Sequence, residues 1–70
     1  MKNVNASIIT IGDELLIGQV VDTNSSWISR QLNEAGVAVI RRVAVGDSYD
    51  EIWKTLDRES EDVDIILITG

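Results

Sequence analysis

Three short apolar runs alternate with two amphipathic stretches along the chain. Ala6–Ile11 (ASIITI) is almost continuously apolar and rich in isoleucine, which predicts a strand buried on both faces. Thr23–Ala35 has Ile28, Leu32 and Ala35 at i, i+4, i+7, the spacing of one helical face. Gly36 follows where a left-handed residue closes a helix. Val37–Val45 (VAVIRRVAV) is β-branched and reads as a second strand. Its adjacent Arg41 and Arg42 must point to opposite faces, so this strand is less enclosed than the first.

Ser48 and Glu51 have capping-box spacing, and Tyr49, Ile52, Trp53 and Leu56 fall at i, i+3, i+4, i+7 behind them. This predicts a second helix through about Arg58. Glu59–Asp62 then reads as an acidic, solvated connection, and Ile65–Thr69 (IILIT) as a third strand closed by Gly70. On this reading Trp27, Tyr49 and Trp53 serve core or helix–helix packing.

The resulting β-α-β-α-β order implies an α/β fold with a parallel sheet and right-handed crossovers. Strand order 2-1-3 places the helices on opposite faces and buries strand 1 on both. Strand 3 would then be a continuously apolar edge, which invites aggregation. The expectation is that residues 1–70 form the N-terminal part of one larger α/β domain, and that alone they are inactive and poorly stable.

Between the first strand and the first helix lie about eleven residues, Gly12 to Asp22, where about 2–6 are usual. They hold Asp13, Glu14 and Asp22 around an apolar patch, Leu15–Leu16–Ile17. That patch must fold back on the domain or meet a partner chain.

Composition narrows the chemistry. There is no cysteine and no histidine, so thiolate chemistry and imidazole bases or ligands are excluded. Twelve acidic residues against six basic ones give a net charge of −6, which disfavours nucleic-acid binding. No apolar run approaches the ~20 residues of a membrane span, and the N-terminus lacks a signal-peptide pattern, so a cytoplasmic protein is expected.

Ligands of open α/β sheets bind beyond the carboxyl ends of the strands, at a switch in strand order. Strand 1 ends in Gly12-Asp13 and strand 2 in Gly46-Asp47, which sets Asp13 and Asp47 on one rim. Asp22, Thr23 and Asn24, at the start of the first helix, return to it. Free helix N–H groups suit a phosphate. Clustered carboxylates suit a hard cation such as Mg²⁺, which bridges to substrate phosphates. A metal-assisted site for a phosphorylated small molecule reconciles the two. The plainer alternative is that Asp22, Thr23 and Ser48 are helix caps and that Gly12 and Gly46 serve turns.

The stretch GDELLIGQVVDTNSSWISRQLNEAGV, followed by RRVAVGDSYDEI and DIILITG, resembles the CinA-like competence/damage-inducible family. More broadly it is similar to the molybdopterin-binding superfamily of MoaB/MogA-like domains. The resemblance runs from about Ala6 to Gly70 through the motifs G-D-E-L-L-x-G, D-T-N and V-G-D.

It implies a three-layer fold and, for CinA-like N-terminal domains, divalent-metal-dependent ADP-ribose pyrophosphatase activity in pyridine-nucleotide salvage. The implied metal is Mg or Co, held by Asp13, Asp22 and Asp47. Asp47 and Asp22 are the implied catalytic carboxylates. Gly12, Thr23, Asn24, Gly46 and Gly70 are the implied substrate contacts. Gly70 stands where the family's glycine-rich G-G-x-G-P-T loop begins. The alternatives are a molybdopterin-binding or adenylyltransferase-like protein of molybdenum-cofactor synthesis, and a binding or assembly domain without turnover. A homo-oligomer is also implied.

Overall fold

The computed structural model describes residues 4–13 and 23–70. Their order is β1 (Val4–Ile11), α1 (Thr23–Glu34), β2 (Val37–Val45), α2 (Tyr49–Ser60) and β3 (Ile65–Thr69). All strands are parallel and their order is β2-β1-β3, as expected from the pattern. The bounds of β2 and β3 are those expected, whereas β1 starts at Val4 rather than Ala6. Glu14, the Leu15–Ile17 patch and Asp22 lie outside the described residues.

Central position explains the continuous apolar run of β1. Ala6 to Thr10 are all buried, and Ile8 and Ile9 point to opposite faces with no exposed surface. β2 carries a bulge: Ala6 lies opposite Val39 and Ser7 opposite Arg41, so Ile40 is the extra residue. Beyond it, Arg41 turns to α2, where its Nε donates to Glu59. Arg42 turns to α1, where its Nη1 donates to the Ser26 hydroxyl at 2.7 Å. The two arginines therefore mark opposite faces, one helix on each, and the architecture is three-layer α/β/α.

α2 corrects the expected helical face. Its sheet-facing stripe is Ile52, Thr55, Leu56 and Glu59, also at i, i+3, i+4, i+7. Tyr49 and Trp53 lie beside that stripe and are 75% and 55% exposed, meeting edge-to-face at 6.0 Å. Trp27 is exposed as well, so none of the three aromatic side chains is core. In α1, Ile28 and Leu32 are half-buried, but Ala35 is exposed and Ser25 is the buried residue.

The sheet face beneath α2 is polar where Ser7 and Arg41 meet. A carboxylate, rather than an aromatic ring, satisfies it. Glu59 is 2% exposed. Its Oε1 accepts from the Ser7 hydroxyl at 2.6 Å and from Arg41 Nε at 2.7 Å. Arg41 Nη2 also donates to Asp62 at 2.8 Å. The expectation of a solvated Glu59–Asp62 connection is therefore overturned at Glu59, which belongs to the core of the α2 face. Among the described residues no buried side-chain polar atom lacks a partner.

Helix ends divide similarly. Ser48 occupies the N-cap position of α2, but its side chain makes no cap hydrogen bond, so the capping-box expectation fails in its chemistry. The Ser48 carbonyl instead accepts from Ile52 N at 3.0 Å. Gly36 meets its expectation: φ is +92° and its N–H donates to the Asn33 carbonyl at 3.1 Å. A Cβ there would touch nothing within 4 Å, so strain alone should decide the effect of a side chain. Gly36→Ala is expected to destabilise the fold by about 1 kcal/mol, read from the urea midpoint.

Among the described residues no helix is long and apolar enough to cross a membrane.

Candidate functional site

The carboxyl ends of β1 and β2 are joined by two hydrogen bonds. Gly12 N–H continues the ladder by donating to the Val45 carbonyl at 2.9 Å. One residue on, Asp47 N–H donates to Asp13 Oδ1 at 3.1 Å. Asp13 thus reaches across the rim and fixes the turn that follows β2. Both residues are exposed, while Gly12 and Gly46 beneath them are buried. The Gly46 carbonyl accepts from Ser48 N at 2.8 Å, which directs the chain from the turn into α2.

The matched Gly-Asp pairs therefore do meet, and parallel pairing is the reason. Ile11 lies opposite Val45, so the residues that follow each strand emerge side by side.

The other expected residues are placed as follows. α1 runs back antiparallel to the strands, so Thr23 and Asn24 start it at the carboxyl end of the sheet. Asn24 is exposed in the first turn, and among the described residues no hydrogen bond ties it to Asp13 or Asp47. Gly70 follows β3 beside β1; a Cβ on it would lie 3.7 Å from the Ile11 carbonyl. Asp22 lies outside the described residues.

One rim pair escaped the sequence reading. Thr69 Oγ1 donates to Thr10 Oγ1 at 3.3 Å, and these two are register partners at the ends of β3 and β1. Thr10 sits inside an apolar run, where a threonine reads as a strand-former rather than a polar group. Only the β1–β3 register reveals the pair.

Whether the residues fit a metal depends on the kind of site. Among the described residues no group of three or more His, Cys, Asp or Glu side chains could form a cage. Mg²⁺ commonly takes only one or two protein carboxylates and completes its shell with water and substrate phosphate. Asp13 and Asp47 fit that second kind and not the first.

Comparison with known proteins agrees with the α/β fold. Residues 7–70 match the family described as "Probable molybdopterin binding domain". A CinA-like protein of Cytophaga hutchinsonii is 46% identical over 68 residues, which is 97% of this chain and 16% of that protein. One from Salinibacter ruber is 43% identical over 67 residues, again 16% of its length. A crystal structure of the protein CinA from Thermoplasma acidophilum, described as of unknown function, superposes with a TM-score of 0.92. It is 37% identical and covers 97% of this chain and 40% of its own. The chain thus spans about a sixth of the length of the curated relatives it matches. It belongs to the family of probable molybdopterin binding domains and, within that family, is similar to the CinA-like proteins.

Proposed function

We propose that the protein works as a divalent-metal-dependent nucleotide pyrophosphatase that cleaves ADP-ribose to AMP and ribose phosphate. The observation that carries this reading is the hydrogen bond from Asp47 N–H to Asp13 Oδ1. It ties the Asp13 carboxylate to the Asp47 backbone at the carboxyl end of β1, so both residues stand on the rim where the strand order reverses and ligands of open sheets bind.

Asp13 and Asp47 would hold the cation, with Asp22 assigned to them by its D-T-N motif. A bound divalent ion would offset diphosphate charge and supply an activated water. The chain's own contribution is placement. The first turn of α1 presents backbone N–H groups and a partial positive charge toward the rim, which orients a phosphate. Asn24 would contact ribose or phosphate from the same turn. Gly12 and Gly46, buried beneath the two aspartates, support the rim from below, and the exposed Gly70 would let a ligand approach the backbone at the end of β3.

The test is release of AMP from ADP-ribose by the intact protein, with and without Mg²⁺ or Co²⁺. Metal-dependent release is expected; no release with either metal would overturn the reading. The family description favours one alternative, a protein that binds molybdopterin. Tight molybdopterin binding without ADP-ribose turnover would favour that alternative. A homo-oligomer is what the family resemblance implies, and the exposed Trp27, Tyr49 and Trp53 offer apolar surface for one.

A further inference from the structure

A second polar feature lies away from Asp13 and Asp47. Between α1 and β2 runs an open groove of about 350 Å³, lined by Ser26, Ser29, Arg30, Ile40 and Arg42 among others. A further hollow of about 310 Å³ extends it along β2 toward Val43 and Ala44, sharing Ser26 and Arg42.

The cations there are unusual for this molecule. The chain has six basic residues against twelve acidic ones. Among the described residues, Arg41 pairs with Glu59 and Asp62, and Arg58 approaches Glu59. Arg30 and Arg42 have no carboxylate partner among the described residues. Yet Arg42 is not loose: Ser26 accepts one of its five N–H donors and holds the guanidinium at the groove. Arg30 enters the same groove from the opposite wall, on α1. Two oriented or converging guanidiniums with serine hydroxyls make the donor set that recognises a tetrahedral oxyanion.

Arg42 can reach α1 only because the Ile40 bulge sets the register of β2. Without the extra residue, position 42 would face α2. The bulge therefore decides which arginine meets which helix, and among the described residues only the one on the α2 face pairs with carboxylates.

We propose that the groove between α1 and β2 is an oxyanion site for a phosphate group, held by Arg30 and Arg42 with Ser26. It is separate from the metal-dependent rim and does not rest on it.

The test uses the intact protein with inorganic phosphate as the probe, in EDTA, so that no divalent ion recruits phosphate to the carboxylates. Calorimetric titration is expected to show saturable binding. Arg30→Gln should weaken it about tenfold, the loss of one charge-assisted hydrogen bond. Arg42→Gln should do the same. Asp13→Asn should leave binding unchanged. The Arg30 side chain makes no hydrogen bond among the described residues, so Arg30→Gln tests the site without disturbing the fold, and its circular dichroism melt should match the parent. Phosphate binding unaltered in the Arg30→Gln, Arg42→Gln double variant, or no binding in the parent, overturns the proposal. AMP added to the phosphate-loaded protein separates two sources of the ligand. Displacement assigns the groove to a nucleotide's phosphate, and no displacement assigns it to the free ion; both uphold the site.

Discussion

Glu59→Ala is expected to destabilise the fold by roughly 2–3 kcal/mol, a large share of the stability of a small domain. Glu59 is nearly fully buried and accepts from both Ser7 and Arg41 through one oxygen. Deleting the carboxylate leaves the Ser7 hydroxyl, itself without exposed surface, as a buried donor with no acceptor. Arg41 suffers less, because its side chain is 41% exposed and keeps Asp62. That partial solvation places the expected cost below that of a fully buried pair. Glu59→Gln retains an oxygen that accepts from both Ser7 and Arg41 but removes the charge and turns an amide donor toward Arg58, so an intermediate loss is expected.

The same contact predicts an acid dependence. The Ser7 hydroxyl bond holds the Glu59 pKa below the ordinary glutamate value, with Arg41 adding to the effect and burial opposing it. A carboxyl whose folded pKa is lowered stabilises the fold above its unfolded value. That stability is lost as pH falls from the unfolded value of about 4.5 through the folded one. Unfolding free energy measured against pH should fall across that window in the parent. It should fall less in Glu59→Gln. Equal slopes in the two proteins would contradict the assignment.

A larger effect is expected on activity. Asp47→Ala should reduce metal-dependent AMP release by about 10²-fold or more, the usual consequence of removing one preorganised electrostatic contact. Its rim hydrogen bond uses the backbone N–H, so the alanine variant retains that bond and should fold. Asp13 needs a different substitution, because its carboxylate also anchors the turn after β2. Asp13→Asn keeps an oxygen to accept from Asp47 N–H and removes only the charge. It should melt like the parent and lose activity to a similar degree. Full activity in either variant, with the fold intact, would remove that residue from the proposed site.

The skeleton of the fold was legible because a central parallel strand buried on both faces leaves a continuous apolar run, as β1 does; β3 carries such a run as well, although at the sheet edge it leaves Ile65 and Ile68 exposed. The switch point followed from strand order, and the Gly-Asp pairs followed from where parallel strands end. Helix α2 was less legible. Hydrophobicity selected Tyr49 and Trp53 for its inner face, yet the sheet beneath presents Ser7 and Arg41, so the stripe that includes Glu59 turns inward. Nothing local to Glu59 signals this; its partners lie in two other strands. Thr10 with Thr69, and Arg42 with Ser26, likewise depend on register and on the bulge at Ile40, which a one-dimensional pattern does not carry.

The central claim is that Asp13 and Asp47 together create a divalent-cation site at the carboxyl rim. Calorimetric titration of the intact protein with Mg²⁺ in the presence of AMP, for the parent and for Asp13→Asn, tests it most directly. The account predicts Mg²⁺ binding in the parent that is weakened at least tenfold in Asp13→Asn, with the melting temperature unchanged. Equal Mg²⁺ affinity in the two proteins would contradict it.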